Sequence, residues 1–378
     1  MKFLPILPVL AIVLVAGCIG QTIGQNQTQQ AANQTIKIGF IGPLTGDASS
    51  YGIMDRNAVI LAVEDINEAG GVNGKTLELI AEDGKCTGKE AVTAATKLID
   101  VDKVKIIAGG SCSSETLGIA PLAESNEVIV FSSLSSSPEI TNAGDYVFRN
   151  YQSDAIQGVQ VAEIISSGYR RAAVLSENTD YAQGLRGVFK SEFARLGGIV
   201  VADEVYDQSA KDMRTQLSKI KDAVPEAIFL APQAGSQGGI AMKQALELGI
   251  TAPMFAAIPV GFDWLEAAGN AAEGLVYLDA PEVNQSDTRQ ADLLARYRER
   301  FGEPVWPYAV FLGYDRTQIL AEALRECGED TGCIKQWIYD NEYSGIGMTY
   351  QFDSNGDVTS SIINAKQIVN GTGVPYRG

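Results

Sequence analysis

IKIGFIG (36–42) opens a repeating pattern that decides the fold of this chain of 378 residues. The segment has the length of a buried strand, and the residues that follow, 54–69, carry apolar side chains at helical spacing. Three more apolar segments alternate with helical ones: TLELIAED (76–83), VKIIAGG (104–110) and EVIVFSS (127–133). Short apolar strands that alternate with amphipathic helices predict a parallel sheet with helices on both faces.

The pattern begins again after VFRNYQSD (147–154). Further strands are predicted at RAAVLSE (171–177), IVVADEV (199–205), AIFLAP (227–232), PMFAAI (253–258) and GLVYLDA (274–280). One parallel sheet of about ten strands is unusual, so we expect two doubly wound α/β lobes.

The helical run after Pro281 starts no third sheet, so the chain is expected to return to the first lobe and to end as a strand pair. That pair is predicted at 348–352 and 360–369. The expected boundaries are 36–148 plus 281–345 for lobe 1 and 149–280 plus 346–378 for lobe 2.

Composition excludes several classes of function. The chain contains no histidine, so Ser-His-Asp, Cys-His and HExxH chemistries are excluded. A formal net charge of −17, without any Lys/Arg cluster, argues against nucleic acid as a partner. The first strand is not followed by a glycine-rich phosphate loop, and we expect no cofactor and no enzymatic activity.

The N-terminal sequence predicts an export signal. Lys2 precedes an apolar run at 3–16 that is too short to span a bilayer, and residues 15–18, Val-Ala-Gly-Cys, resemble the lipobox of prokaryotic lipoproteins. We therefore expect a signal peptide at 1–17 and a lipidated Cys18. A flexible tether at 18–35 would then hold an exported domain on the outer face of the cytoplasmic membrane. A plain signal peptide or an uncleaved anchor helix is the alternative.

Four cysteines remain beyond Cys18: Cys86, Cys112, Cys327 and Cys333. An even number in an exported protein predicts disulfides, with three possible connectivities. We favour Cys86–Cys112 and Cys327–Cys333. The first two each follow a predicted strand, and adjacent strands would place them side by side. The second two flank a short turn. The spacing lacks CxxC, so no metal site is expected.

Ligands of open α/β sheets bind beyond the carboxyl ends of the strands. The loops there are rich in small hydroxyl residues: PLTGDASSYG (43–52), SCSSET (111–116), SSLSSSP (132–138) and ENTDYAQG (177–184). Ser113 and Ser114 stand where a helix begins, and hydroxyls with free backbone amides at that point suit a carboxylate. The same serines could instead serve only as helix caps.

These segments together resemble the branched-chain amino acid class of type I periplasmic binding proteins, the solute-binding subunits of ABC importers. The resemblance rests on IKIGFIGPLTGDASSYG, GGSCSSET, FSSLSSSPEIT, DYAQGL and FGEPVWPYAVFLGYD, and it extends over residues 36–370. It implies two Rossmann-like lobes joined by three hinge crossings, with a ligand trapped in the cleft. It also implies a Cys86–Cys112 disulfide.

The resemblance assigns ligand contacts position by position. They fall on Tyr51, Ser113, Ser135, Ser136 and Tyr181, with Ser114 beside them. Members of the class usually carry an acid after the strand at 253–258 that pairs with the ligand ammonium, and this chain has none at that place. Asp180 or Asp263 could replace it, or the ligand is an amide, a urea-like solute or a carboxylate.

The expected function is capture of a small amino acid-like ligand, a branched-chain amino acid first, and its delivery to an ABC permease with its ATPase subunits. The expected membrane contact is through the N-terminal lipid. A ligand-sensing receptor domain is the alternative of a different class.

Overall fold

The computed structural model describes Met1 and residues 35–258, 263–360 and 363–378, without the side chain of Asp263. The predicted signal peptide, Cys18 and nearly all of the tether lie outside these residues and stay predictions. No helix of the described part is long and apolar enough to span a membrane.

Fourteen strands and eleven α-helices are present in the described residues. The strands are β1 Thr35–Gly42, β2 Thr76–Asp83, β3 Ile106–Ala108, β4 Ile129–Ser132, β5 Val147–Arg149, β6 Arg171–Glu177, β7 Ile199–Tyr206, β8 Ala227–Ala231, β9 Met254–Ala256, β10 Val276–Asp279, β11 Tyr343–Ser344, β12 Thr349–Tyr350, β13 Asn364–Val369 and β14 Thr372–Pro375. The helices are α1 Ser49–Glu68, α2 Gly88–Thr96, α3 Ser113–Asn126, α4 Asp154–Gly168, α5 Asp180–Arg195, α6 Arg214–Asp222, α7 Gly235–Glu247, α8 Asp263–Ala268, α9 Thr288–Phe301, α10 Pro307–Cys327 and α11 Thr331–Asp340.

Two separate sheets organise the molecule. The first is parallel with the order β2-β1-β3-β4-β5, and the second has the order β14-β13-β10-β9-β8-β6-β7. In the second sheet β6 to β10 are parallel, while β13 and β14 are antiparallel additions at one edge. The strand order reverses beside β1 in one sheet and beside β6 in the other, and ligands of such sheets bind at these switch points.

Side-chain caps start several of the helices that lead away from the strand ends. Thr87 accepts a hydrogen bond from the backbone of Glu90, Ser153 from Ala155 and Thr179 from Ala182. Each cap satisfies an amide that the first turn leaves without an intrahelical partner. The helix starts are therefore fixed close to the carboxyl edges of the sheets.

The C-terminal part differs from the prediction. The described residues of 348–352 and 360–369 do not pair with each other: β12 pairs with β11, and β13 joins the second sheet between β10 and β14. Burial explains the split. Tyr350 is fully buried and donates to Asp315 at 2.8 Å, and Phe352 packs edge-on against Phe131 of the first sheet. Ile368 instead belongs to the core of the second sheet.

A fully buried ion pair joins helices α1 and α10. Asp55 and Arg316 have no exposed side-chain surface, and Arg316 Nη2 lies 3.0 Å from Asp55 Oδ1. The same carboxylate accepts hydrogen bonds from the hydroxyls of Ser111 and Ser133, both at 2.8 Å. Those serines follow β3 and β4, so the pair anchors two loops as well as two helices.

Replacing Arg316 by methionine should lower the free energy of unfolding by about 3–5 kcal/mol, because Asp55 would stay buried without its partner. Urea unfolding measures the loss. Arg298→Met is the control, since the Arg298–Glu303 pair is exposed and should contribute less than about 1 kcal/mol. Equal losses in the two variants would contradict the role given to the buried pair.

Candidate functional site

A cavity lies where the carboxyl ends of the two sheets face each other. Its wall is built from loops and helix starts that belong to both sheets and from the segment before α10. The lining residues are Tyr51, Ser111, Cys112, Ser113, Leu134, Ser136, Tyr151, Gln157, Tyr181, Gln233, Ile258 and Trp306. This described wall contains hydroxyls, amides, aromatic rings and apolar groups, and no charged side chain.

Ser113 provides an anion-binding corner. It is the first residue of α3, where the amides of Ser113 and Ser114 have no intrahelical acceptor and the helix dipole is positive. Its Oγ accepts hydrogen bonds from the backbone N–H groups of Ser136 at 3.2 Å and Ser137 at 3.1 Å. A serine hydroxyl that accepts two hydrogen bonds keeps its own proton to donate. The corner can therefore hold a carboxylate.

A disulfide and a buried carboxylate fix this corner from behind. Cys86 and Cys112 are bonded, as are Cys327 and Cys333, which confirms the predicted pairings. Glu115 accepts from the backbone N–H groups of both Cys86 and Cys112 at 3.0 Å. Burial raises the pKa of Glu115 to about 7.

The reason given for the first pairing was wrong. Cys86 follows β2 and Cys112 follows β3, and these strands are not neighbours, because β1 lies between them. The bridge therefore crosses the end of β1. It ties the two loops that flank the first strand.

A chain of hydrogen bonds runs from the first sheet to the second behind the cavity wall. Ser136 Oγ donates to Asp154 at 2.9 Å, Gln157 Nε2 donates to the same carboxylate at 2.7 Å, and Gln157 Oε1 accepts from Ile258 N at 2.9 Å. Burial raises the pKa of Asp154 to about 7, although the hydrogen bond from Ser136 opposes this shift. Asp154 itself does not line the cavity, but its carboxyl group bonds directly to two residues that do, Ser136 and Gln157.

The two sides of the cleft touch each other directly. Tyr51 Oη accepts from Gly235 N at 3.3 Å, and Lys211 Nζ lies 2.9 Å from Asp47. The backbone N–H of Asp180 points to Ser114 Oγ at 3.4 Å. In each pair one partner lies in or beside a loop after a strand of the first sheet and the other belongs to the second lobe. The cleft is therefore closed.

Four of the predicted ligand residues line this cavity: Tyr51, Ser113, Ser136 and Tyr181. Ser114 does not, and its hydroxyl faces Asp180 instead. Ser135 does not line it either, because its hydroxyl bonds to the carbonyl of Gly110 and lies 2.7 Å from Thr116 Oγ1.

Neither predicted acid is among the described residues of the wall. Asp180 is exposed at the first position of α5 and is not among the residues that line this cavity. The side chain of Asp263 lies outside the described residues. Among the described residues no cluster of acids and cysteines could hold a metal ion.

Sequence reasoning missed several wall residues. Tyr151 and Gln157 follow β5, a strand of three residues that the sequence analysis does not predict. Trp306 precedes α10 and packs edge-on against Tyr151 at 5.6 Å. The available signal for Asp154 is its place at the first position of a helix, next to the cap residue Ser153.

Comparison with known proteins identifies the family. Residues 35–361 match the family model described as periplasmic binding protein. The chain belongs to this family.

Its relatives agree with the predicted class. The leucine-, isoleucine-, valine-, threonine- and alanine-binding protein of Pseudomonas aeruginosa is 29% identical over 332 residues, 86% of this chain and 88% of that protein. The branched-chain amino acid binding protein LivJ of Streptococcus pneumoniae, solved with isoleucine, has a TM-score of 0.79 at 25% identity, covering 90% of this chain and 98% of LivJ.

A solute-binding protein from Rhodopseudomonas palustris, solved with 3,4-dihydroxybenzoic acid, has a TM-score of 0.77 at 26% identity, covering 90% and 95% of the two chains. The predicted type I fold and branched-chain amino acid class are thereby confirmed. The family binds solutes outside the cytoplasm and is not an enzyme family.

In this periplasmic binding protein, Arg149 holds two of the segments that connect the lobes. It is fully buried at the end of β5 and forms a two-pronged ion pair with Asp357, at 2.6 Å and 2.8 Å. Arg149 also donates to the carbonyl of Ser137 at 2.7 Å. The hinge is therefore linked to the loop that contains Ser136.

Removing the Cys86–Cys112 bridge with a double serine variant should cost about 3.5 kcal/mol of unfolding free energy, because the closed loop spans a sequence separation of 26. The Cys327–Cys333 bridge closes a separation of 6, so the matching double variant should lose only about 2 kcal/mol. Urea unfolding of both variants tests the order, and a larger loss at Cys327–Cys333 would contradict it.

Proposed function

We propose that this protein is the membrane-tethered solute-binding subunit of an ABC importer. Its ligand in the cleft is an α-amino acid, with the branched-chain amino acids as the first candidates. One observation carries the proposal: the cavity wall contains both Ser113, at the start of α3, and Ser136, whose hydroxyl donates to the buried Asp154.

The carboxylate of the ligand binds at Ser113. The first amides of α3 and the Ser113 hydroxyl converge there, and charged acceptors strengthen such hydrogen bonds about twofold over neutral ones. The positive end of the helix dipole favours the negative charge further. Bound amino acids of the relatives, such as isoleucine in LivJ, carry the same group.

The ammonium of the ligand binds at Ser136. Because Ser136 Oγ donates its proton to Asp154, its lone pairs are free to accept from the ammonium. The ionised Asp154 then compensates the positive charge through one hydroxyl. A buried ammonium without such a partner would cost several kcal/mol. Asp154 thus replaces the acid that the class usually carries after β9.

The remaining wall encloses an apolar side chain. Leu134, Ile258, Tyr151 and Trp306 are packed around the cavity with little polar surface between them. Burial of a leucine or isoleucine side chain there would contribute about 1.5–3 kcal/mol. The relative from Pseudomonas aeruginosa, which binds leucine, isoleucine and valine, supports this assignment.

Closure couples binding to transport. A ligand that touches Ser113 on one side and Tyr181 on the other stabilises the closed arrangement by its differential affinity for that state. The closed lobes then dock on the permease. The lipidated Cys18 and the 18–35 tether keep the domain near the membrane.

Ser113→Ala should weaken leucine binding at least about tenfold, because the carboxylate loses its hydroxyl donor while the helix stays intact. Isothermal titration calorimetry measures the affinity, and the melting temperature without ligand checks the fold. Ser125→Ala at the exposed end of the same helix is the matched control. Equal affinity of the Ser113 variant and the unmodified protein would show that the carboxylate binds elsewhere.

Leucine affinity should rise between pH 5.5 and pH 8. Burial raises the pKa of Asp154 to about 7, so a proton must leave this carboxyl before it can compensate an ammonium. Binding of the ammonium lowers that pKa, so binding releases a proton and strengthens as pH rises. Titrations at several pH values measure the slope.

Asp154→Asn should bind leucine more weakly and with a flat pH profile. The ligand control is 4-methyl-2-oxopentanoate, which keeps the carboxylate and side chain of leucine but lacks the ammonium. It should show no rise in affinity with pH. The same rise for both ligands would contradict the role of Asp154 and favour a carboxylate solute.

A further inference from the structure

The cavity wall contains two glutamines that differ in how their amides are used. Gln157 uses both ends of its amide, donating to Asp154 and accepting from Ile258. The side-chain amide of Gln233 forms no hydrogen bond within the described residues, although only 8% of the residue is exposed. Its polar atoms are reached from the cavity.

Gln233 is held in place by its backbone. Its N–H donates to Glu177 Oε2 at 2.7 Å, and the next amide, of Ala234, reaches the same oxygen at 3.4 Å. Glu177 is buried at the end of β6, and Gly235 N donates to Tyr51 across the cleft. The hydrogen bonds to Glu177 therefore fix the backbone at Gln233 within the second lobe.

Gln233 comes from the lobe opposite the head-group contacts. It follows β8 of the second sheet, while Ser113 and Ser136 follow β3 and β4 of the first. A ligand whose carboxylate and ammonium lie against the first lobe directs its side chain toward the second. The Gln233 amide, with two donors and one acceptor, then meets the side chain of the ligand.

An amide in a closed cleft should favour polar ligand side chains over apolar side chains of the same shape. A purely apolar side chain excludes water from Gln233 and leaves its donors and acceptor unpaired, which weakens binding. A side chain of the same shape that carries a hydroxyl or an amide restores those hydrogen bonds. Sites built to hydrogen-bond a ligand group reject analogues without it far more strongly than apolar sites reject a hydroxyl.

We propose that Gln233 is a specificity-determining residue and selects an α-amino acid whose side chain carries a hydrogen-bonding group over its apolar isostere. This inference rests on the proposed function: it keeps an α-amino acid as the ligand, and it replaces the branched-chain amino acids as first candidates by their polar isosteres. It does not involve the head-group contacts.

Two nearly isosteric pairs test it: threonine with valine, and asparagine with leucine. Titration calorimetry should show that the unmodified protein binds the polar member of at least one pair about tenfold or more tightly than its apolar partner. Gln233→Met, of similar length but apolar, should remove that preference. Gln336→Met on the exposed face of α11 should leave the ratio unchanged.

The preference would be overturned if neither pair favours its polar member, or if the Gln233→Met protein keeps the ratio of the unmodified protein. Tight binding of leucine and valine with no such preference would leave the proposed function standing and remove only the role of Gln233. Absence of binding for all four amino acids would overturn both. Gln233→Leu provides the same readout if Gln233→Met does not fold.

Discussion

The buried Asp55–Arg316 pair is the constraint on which the cavity depends. Asp55 also accepts from Ser111 and Ser133, which lie in the ligand loops two and three positions before Ser113 and Ser136. Two charges without solvent contact are stable only when their hydrogen-bonding capacity is nearly satisfied, so the loops cannot shift without exposing or orphaning a charge. An ion pair in the core thus sets the geometry of an uncharged wall.

Around the rest of the cavity, too, the wall is uncharged and buried carboxyl groups lie behind it. Glu115, Asp154 and Glu177 are buried, and burial raises the pKa of each to about 7. Each accepts hydrogen bonds from residues that line the cavity: Cys112, Ser136 and Gln233, respectively. The wall can therefore present oriented hydroxyls and amides to a ligand, and no histidine is needed in such a site.

The repeating strands and helices were predictable because buried parallel strands leave continuous apolar runs. The errors arose where tertiary packing decides. β5 has three residues and shows no period. Tyr350 and Phe352 pack with the first sheet, so 348–352 forms no pair with the described residues of 360–369 and pairs with β11 instead. The disulfide pairing was correct for a wrong reason, because strand order is not readable from the order of strands along the chain.

The candidate site was predictable only to the level of loops. Ser135 and Ser136 are neighbours with the same side chain, yet one bonds to Gly110 behind the wall and the other faces the cavity, which depends on loop orientation alone. The sequence predicts Asp180 or Asp263 as the replacement for the missing acid. Asp154 reaches the same wall through Ser136, by a contact between residues 18 positions apart. The proposed compensation by Asp154 therefore comes from a different sequence position than the acid after β9, because several loops and helix starts face the cleft.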